Sequence, residues 1–388
     1  MIQIRKLCYF SFYFLLIFFY YNPSPIHTEE KDKIPNKILE DKKLTLLGKI
    51  LAGLQKPDFN SDDEKLNQIL QSSVYKNHYK QMQISWEKTE EIRLQKMRKW
   101  VESELSFLCE KKNVIFYPFS GPDVLNVQIL FPCAKEYILF GLEPPGEIRE
   151  IENFNYRELQ LYLSYIQSSL YSILNYSFFR TNDMKIDFFK KLDGIAPILL
   201  TFLAYNQNKI IRITKITLTN EDTIIENKFD HGIPGVRIYF VDHKNHQNII
   251  KSILYFQIDV SNGNLQKNGY FLDHITKHSP FFTFIKAASY LMHNNQFSRI
   301  REFILNQSDF ILQDDSGIPL KYFSNEKWNL VFYGNYTTPI PLFRNKFQKD
   351  LREIYLNKKN IQPLPFGTGY HFYPGTSNLM MALDKTAF

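Results

Sequence analysis

The stretch Val114-Ile-Phe-Tyr-Pro-Phe-Ser-Gly-Pro-Asp-Val-Leu-Asn-Val-Gln-Ile-Leu-Phe-Pro-Cys-Ala-Lys-Glu-Tyr-Ile-Leu-Phe-Gly-Leu-Glu-Pro-Pro-Gly146 decides the fold. It reads as an apolar strand, a tight polar turn, a short helix and a second apolar strand ending in an acid. Pro122 suits the first turn of the helix and Asp123 suits its cap. If the two strands are parallel and adjacent, Ser120, Asp123 and Glu143 fall along one sheet edge, where open α/β folds bind ligands. Gly121 would let a cofactor approach the backbone, and Glu143 stands where Rossmann-like proteins place an acid for a ribose hydroxyl.

The same geometry bears on the cysteines. Cys109 precedes the first strand and Cys133 the second. Parallel strands would bring both thiols together on the opposite edge, within the ~5.5 Å Cα spacing of a disulfide. An oxidising compartment favours the bond. Two small buried hydrophobes are the other reading.

The amino terminus speaks to the compartment. Arg5 and Lys6 precede an apolar run from Leu7 to Tyr21, and Asn22-Pro-Ser-Pro25 breaks it. This is the layout of a secretory signal, too short for a spanning helix of ~20 residues. The expectation is an exported protein, periplasmic or in the cell envelope. An uncleaved anchor is the alternative, and the membrane is then met only through that segment.

Composition narrows the partners. The 388 residues are 44% hydrophobic and 22% charged, which fits a folded chain rather than a disordered one. The 34 Phe and 24 Tyr read as compositional bias rather than as a binding surface. Net charge is +7, yet no block of Lys and Arg of nucleic-acid-binding length occurs. The expected partner is a small polar ligand, not DNA or RNA.

The chain divides into a signal peptide or anchor (1–25), a tether (26–43), a helical extension (44–110) and an α/β domain (111–388). Helices are predicted over 43–54, 64–70, 78–108, 156–176, 195–206, 280–293, 297–307 and 344–356. Further strands are predicted over 210–218, 236–241, 253–260, 310–313 and 328–333, with 221–234 a polar loop and 365–378 a packed tail. The fold class is α/β: a mixed, mostly parallel Rossmann-like sheet flanked by helices, with a helical N-terminal extension.

Other motifs say less. Asp314 and Asp315 follow a strand, so one of them could face the same pocket as Ser120, Asp123 and Glu143 for acid–base work. Ser120 lacks the G-x-S-x-G elbow of hydrolases. His274 and His278 have helical metal spacing but no third ligand, so no metal is expected. Lys286 lies among apolar residues and either snorkels to the surface or pairs with a buried acid.

Two resemblances extend the reading. Phe119-Ser-Gly-Pro-Asp123 and Phe140-Gly-Leu-Glu143 look like the first two strand ends of an S-adenosylmethionine-dependent methyltransferase, with Gly121 alone in place of its glycine-rich loop. An exported protein would meet no supply of that cofactor. Four segments, 116–123, 140–145, 286–293 and 312–319, resemble an uncharacterised family of exported bacterial proteins. That likeness implies export and no catalytic residue. Three functions are therefore carried forward: an envelope enzyme using the clustered carboxylates, a non-catalytic binding protein, and a cytosol-facing methyltransferase held by an anchor. The sequence assigns neither a reaction nor a cofactor.

Overall fold

The computed structural model describes residues 40–111, 114–179, 191–227, 231–242, 249–357 and 360–388. The expected signal or anchor at 1–25 and most of the tether lie outside these residues. Four helices come first: α1 (Lys42–Leu51), α2 (Glu64–Gln71), α3 (Ser73–Thr89) and α4 (Gln95–Glu104). A π-helical turn, Glu90–Leu94, joins α3 to α4 and turns Arg93 inward, where its residue is 3% exposed. Such turns recur at functional sites.

The α/β part alternates strands with helices. It begins with β1 (Val114–Tyr117), α5 (Val124–Leu130), β2 (Glu136–Gly141), α6 (Tyr156–Tyr176) and α7 (Ala196–Tyr205). Then come β3 (Asn208–Leu218), β4 (Ile224–Glu226), β5 (Ile233–Asp242), β6 (Ile250–Gln257), α8 (Asn262–Lys267) and α9 (Tyr270–Thr276). The chain ends through β7 (Phe281–Ile285), α10 (Ser298–Gln307), β8 (Ser308–Gln313), β9 (Trp328–Gly334), α11 (Lys349–Asn357), β10 (Ile361–Gln362) and β11 (Asn378–Asp384).

All eleven strands form one sheet, ordered β10-β9-β11-β8-β7-β1-β2-β6-β5-β3-β4. Its middle, β8-β7-β1-β2-β6, is parallel throughout. Val114 pairs with Glu136 and Tyr117 with Leu139, so the first two strands are parallel neighbours, as expected. The period of two sends Ile115 and Tyr117 to one face and Phe116 to the other. The first face packs against α1 to α7, and the second against α8 to α11.

The expectation of a mostly parallel sheet is corrected. Five strand pairs are parallel (β1–β2, β1–β7, β2–β6, β7–β8, β9–β10) and five antiparallel (β3–β4, β3–β5, β5–β6, β8–β11, β9–β11). Two features cause this. The β3–β4 and β5–β6 hairpins extend one edge, and β11 inserts in reverse between β8 and β9. Residues 378–384 read Asn-Leu-Met-Met-Ala-Leu-Asp, with no β-branched residue to announce a strand. A second correction concerns 280–293, which is not a helix. Phe281-Phe-Thr-Phe-Ile285 is a fully buried strand. Short apolar runs do not declare their period, and the aromatic, β-branched content decided.

Cys109 and Cys133 are bonded, with Cα atoms 5.3 Å apart. The bond lies before β1 and β2, at the sheet edge opposite the strand ends described next.

Candidate functional site

The C-terminal ends of β1, β2, β6 and β7 enclose a cavity of about 380 Å³. After β1, the backbone turns through Phe119 at φ +58° and Gly121 at φ +52°. Asp123 then caps α5, its side chain accepting from the Asn126 backbone N–H at 3.2 Å. After β2, Glu143 folds back against the strand end. A Cβ on Gly141 would lie 2.4 Å from the Glu143 Oε2 and 3.2 Å from the Gly121 Cα. Only glycine allows the two turns to approach this closely.

Ser120, Gly121, Asp123 and Glu143 all line this cavity. Their roles differ. The Ser120 hydroxyl donates to the Gly121 carbonyl at 3.0 Å, and its backbone N–H to the Phe140 carbonyl at 3.2 Å. Among the described residues, this hydroxyl meets only the Gly121 and Phe140 carbonyls and no base. Glu143 is 6% exposed and its backbone carbonyl accepts from the Tyr255 hydroxyl at 2.9 Å. Burial pushes the Glu143 carboxyl above its ordinary value.

Asp123 sits deeper. It accepts from the Tyr117 hydroxyl at 2.8 Å and pairs with the Lys286 ammonium at 2.6 Å. Lys286 follows β7 directly and also donates to the Ser177 carbonyl at the C-cap of α6. Of the two sequence options for this lysine, pairing with a buried acid is the one found. Burial lowers the Lys286 value, and Asp123 pulls against that. Behind the pair lies Arg93, donating to the Ile173 carbonyl at 2.7 Å. Burial brings the Arg93 guanidinium down to about 10.

Neither Asp314 nor Asp315 lines the cavity, which corrects the expectation that one of them would join Ser120, Asp123 and Glu143 there. They brace the turn after β7 from behind. There Ala287, Ser289 and Tyr290 have φ of +50°, +51° and +52°, a conformation costly for residues with a Cβ. Asp314 accepts from the Ala287 N–H at 2.9 Å and the Ser316 N–H at 3.0 Å. Asp315 accepts from the Tyr290 hydroxyl and from Asn378 at 2.9 Å. Both acids are raised by burial, and the charge of Asp315 adds to the effect on Asp314. Their hydrogen bonds run to the turn after β7, to Ser316 and to β11.

Much of the remaining wall is aromatic and aliphatic, with Phe119, Phe140, Phe178, Phe179, Phe297 and Ile258 among its residues. Asp259 and Tyr370 add polar groups. Sequence reading missed Tyr117, Arg93, Asp259 and Tyr370. Arg93 was hidden among the solvated cations of a long helix, and only the π turn redirects it inward. Tyr370 comes from the tail, where spacing gives no clue to a partner 83 residues away in sequence, the Ala287 carbonyl.

Among the described residues, no group of three or more His, Cys, Asp or Glu is arranged to hold a metal ion. None of the described helices is long and apolar enough to cross a membrane. No family model matches the chain, and neither curated proteins nor solved structures give a significant match.

Proposed function

We propose that the protein is exported to the cell envelope and binds a nucleoside-type small molecule in the cavity over β1 and β2. One observation carries this reading: the Glu143 carboxyl is buried in the wall of a cavity that also offers flat aromatic surface. The chain leaves β1 for β2 on one side, and leaves the neighbouring β7 for β8 on the other, so connections diverge between β1 and β7. Rossmann-like sheets bind ligands at such a switch point. A carboxylate there suits a pair of ribose hydroxyls, while Phe119, Phe140 and Phe297 suit a planar base. Export draws support from the basic and apolar start of the chain and from the Cys109–Cys133 bond, which fits an oxidising compartment.

A second reading is methyl transfer from S-adenosylmethionine, and strand order favours it. The order β6-β2-β1-β7-β8-β11-β9, with β11 reversed, resembles the sheet of those methyltransferases. The nucleoside half of the cofactor fits Glu143. The glycine-rich loop is replaced by Phe119-Ser-Gly-Pro-Asp123, and the Asp123 side chain occupies a helix N–H that such a loop leaves to its ligand. Binding without this chemistry is therefore the preferred reading.

Isothermal titration with adenosine tests it. Binding is expected in the wild type, weakened on the order of ten- to a hundredfold in Glu143→Ala by loss of charged hydrogen bonds. An absence of heat with adenosine, S-adenosylhomocysteine and a nicotinamide dinucleotide at millimolar concentrations would rule the reading out. Intact mass and fractionation of the mature chain test export separately, since retention of the first ~25 residues on a cytosolic protein contradicts it.

A further inference from the structure

The charges beneath the cavity do not balance in the way buried charges usually do. Lys286 and Arg93 are 3% exposed and Asp123 is 2% exposed. Asp123 is the acid paired with Lys286 at 2.6 Å, and it is also the carboxylate acting on Arg93. Among the described residues, Arg93 makes no ion pair of its own: it donates to the Ile173 carbonyl, and its Nε has no partner. Two buried cations thus share one carboxylate. Asp314 is the next acid within electrostatic reach of Lys286. It is already committed to Ala287 and Ser316, and burial and Asp315 push it towards its neutral form. Buried cations are expensive without compensation. Of the two cations, Lys286 lines the cavity. Two contacts of its ammonium, Asp123 and Ser177, leave a third N–H.

We infer that the ligand of this cavity carries a negatively charged group, a carboxylate or a phosphate, which seats against the Lys286 ammonium at the end of β7. Arg93 contributes field from behind without touching the ligand. The inference rests on the nucleoside reading for what occupies the rest of the cavity. Glu143 at the end of β2 then takes the neutral, hydroxyl-bearing part, and Lys286 takes the anionic part. A carboxylate and an ammonium on two neighbouring walls fix the ligand's direction, because reversing it would set an anion against Glu143.

Titration of the wild-type chain with adenosine, adenosine 5′-monophosphate and S-adenosylhomocysteine tests this, the last two separating a phosphate from a carboxylate source. The charged nucleoside of the correct class is expected to bind on the order of ten- to a hundredfold tighter than adenosine. In Lys286→Met/Asp123→Asn, which removes both charges of the pair together, the affinity of that nucleoside relative to adenosine should fall to about equality. Equal affinities for all three compounds in the wild type overturn the inference, with or without a folded variant. So does a gain that survives in the double variant. Inorganic phosphate and succinate separate this failure from that of the nucleoside reading. If adenosine does not bind, a rise in melting temperature with either anion in the wild type, absent in the variant, supports the Lys286 site alone, and no rise refutes it.

Discussion

Lys286 and Asp123 form an ion pair of 2.6 Å in which neither side chain exposes more than 3% of its surface. The pair ties the end of β7 to the start of α5, and the Tyr117 hydroxyl and the Ser177 carbonyl hydrogen-bond to it. Removing Asp123 leaves Lys286 and Arg93 both buried without their carboxylate, whereas removing Lys286 leaves Asp123 with Arg93. Asp123→Asn should therefore cost about 3–5 kcal/mol, and Lys286→Met markedly less, because Asp123 then keeps Arg93 as its counter-charge. Urea unfolding measures both. A loss below about 1 kcal/mol in Asp123→Asn would mean that water reaches these charges.

Glu143 gives a pH signature of definite sign. Burial raises its folded value above the ordinary glutamate value. The folded chain keeps this proton at pH values where the unfolded chain has released it, so this group's contribution to stability falls as pH rises. The fall begins near the unfolded value of ~4.3 and ends above the raised folded one. Asp314 and Asp315 act in the same direction, so the wild-type curve alone does not isolate Glu143. Glu143→Gln does. Its stability relative to wild type should improve as the pH rises above about 4, by roughly 1.4 kcal/mol for each pH unit through which burial raises the carboxyl. Parallel curves would remove the claim that this carboxyl is desolvated.

The turn after β7 can be tested through its left-handed residues. Ala287 has φ +50°, and the Tyr370 hydroxyl lies 3.1 Å from the Ser289 backbone nitrogen and 3.0 Å from the Ala287 carbonyl oxygen. Ala287→Gly should be neutral or stabilising by up to about 1 kcal/mol, since glycine takes this conformation freely. Ala287→Val should destabilise by about 2 kcal/mol or more, because a β-branched residue resists it. Tyr370→Phe should cost about 1–3 kcal/mol through the polar groups it strands. Thermal unfolding ranks the three. Equal effects of glycine and valine would show that the turn is not left-handed.

The parts of this site that were legible in the sequence are those set by local geometry. Two apolar runs, a capped turn between them and an acid after the second were enough to place Ser120, Asp123 and Glu143 together and Cys109 beside Cys133. Asp314 was also placed correctly, just beyond a strand. What it faces was not, because a strand end says nothing about the neighbouring turn. Lys286 illustrates the limit. Its apolar neighbours fit a helix as well as a strand, and the choice moves the ammonium from a helix face to the buried wall of a cavity. The reversed β11 was hidden for a different reason: its methionines and leucines carry no β signal, and its place between β8 and β9 is decided by pairing across the sheet.

The Cys109–Cys133 bond offers the last test, and one that reaches the compartment. It closes a span of 24 residues containing β1, the Ser120–Asp123 turn and α5. Chain-entropy arguments assign a loop of this size roughly 3 kcal/mol, mostly through the unfolded state. Cys109→Ser/Cys133→Ser should lower stability by about that amount and make unfolding insensitive to reductant, whereas the wild type should lose the same amount on reduction. The loss should fall on stability and not on adenosine affinity, because the bond sits at the sheet edge away from the cavity. Alkylation of the native protein, taken directly from cells, supplies the other half. Both thiols should be blocked in an exported chain, as oxidising conditions keep such bonds closed. Full labelling of both would place the chain in a reducing compartment, where the supply of S-adenosylmethionine no longer counts against methyl transfer.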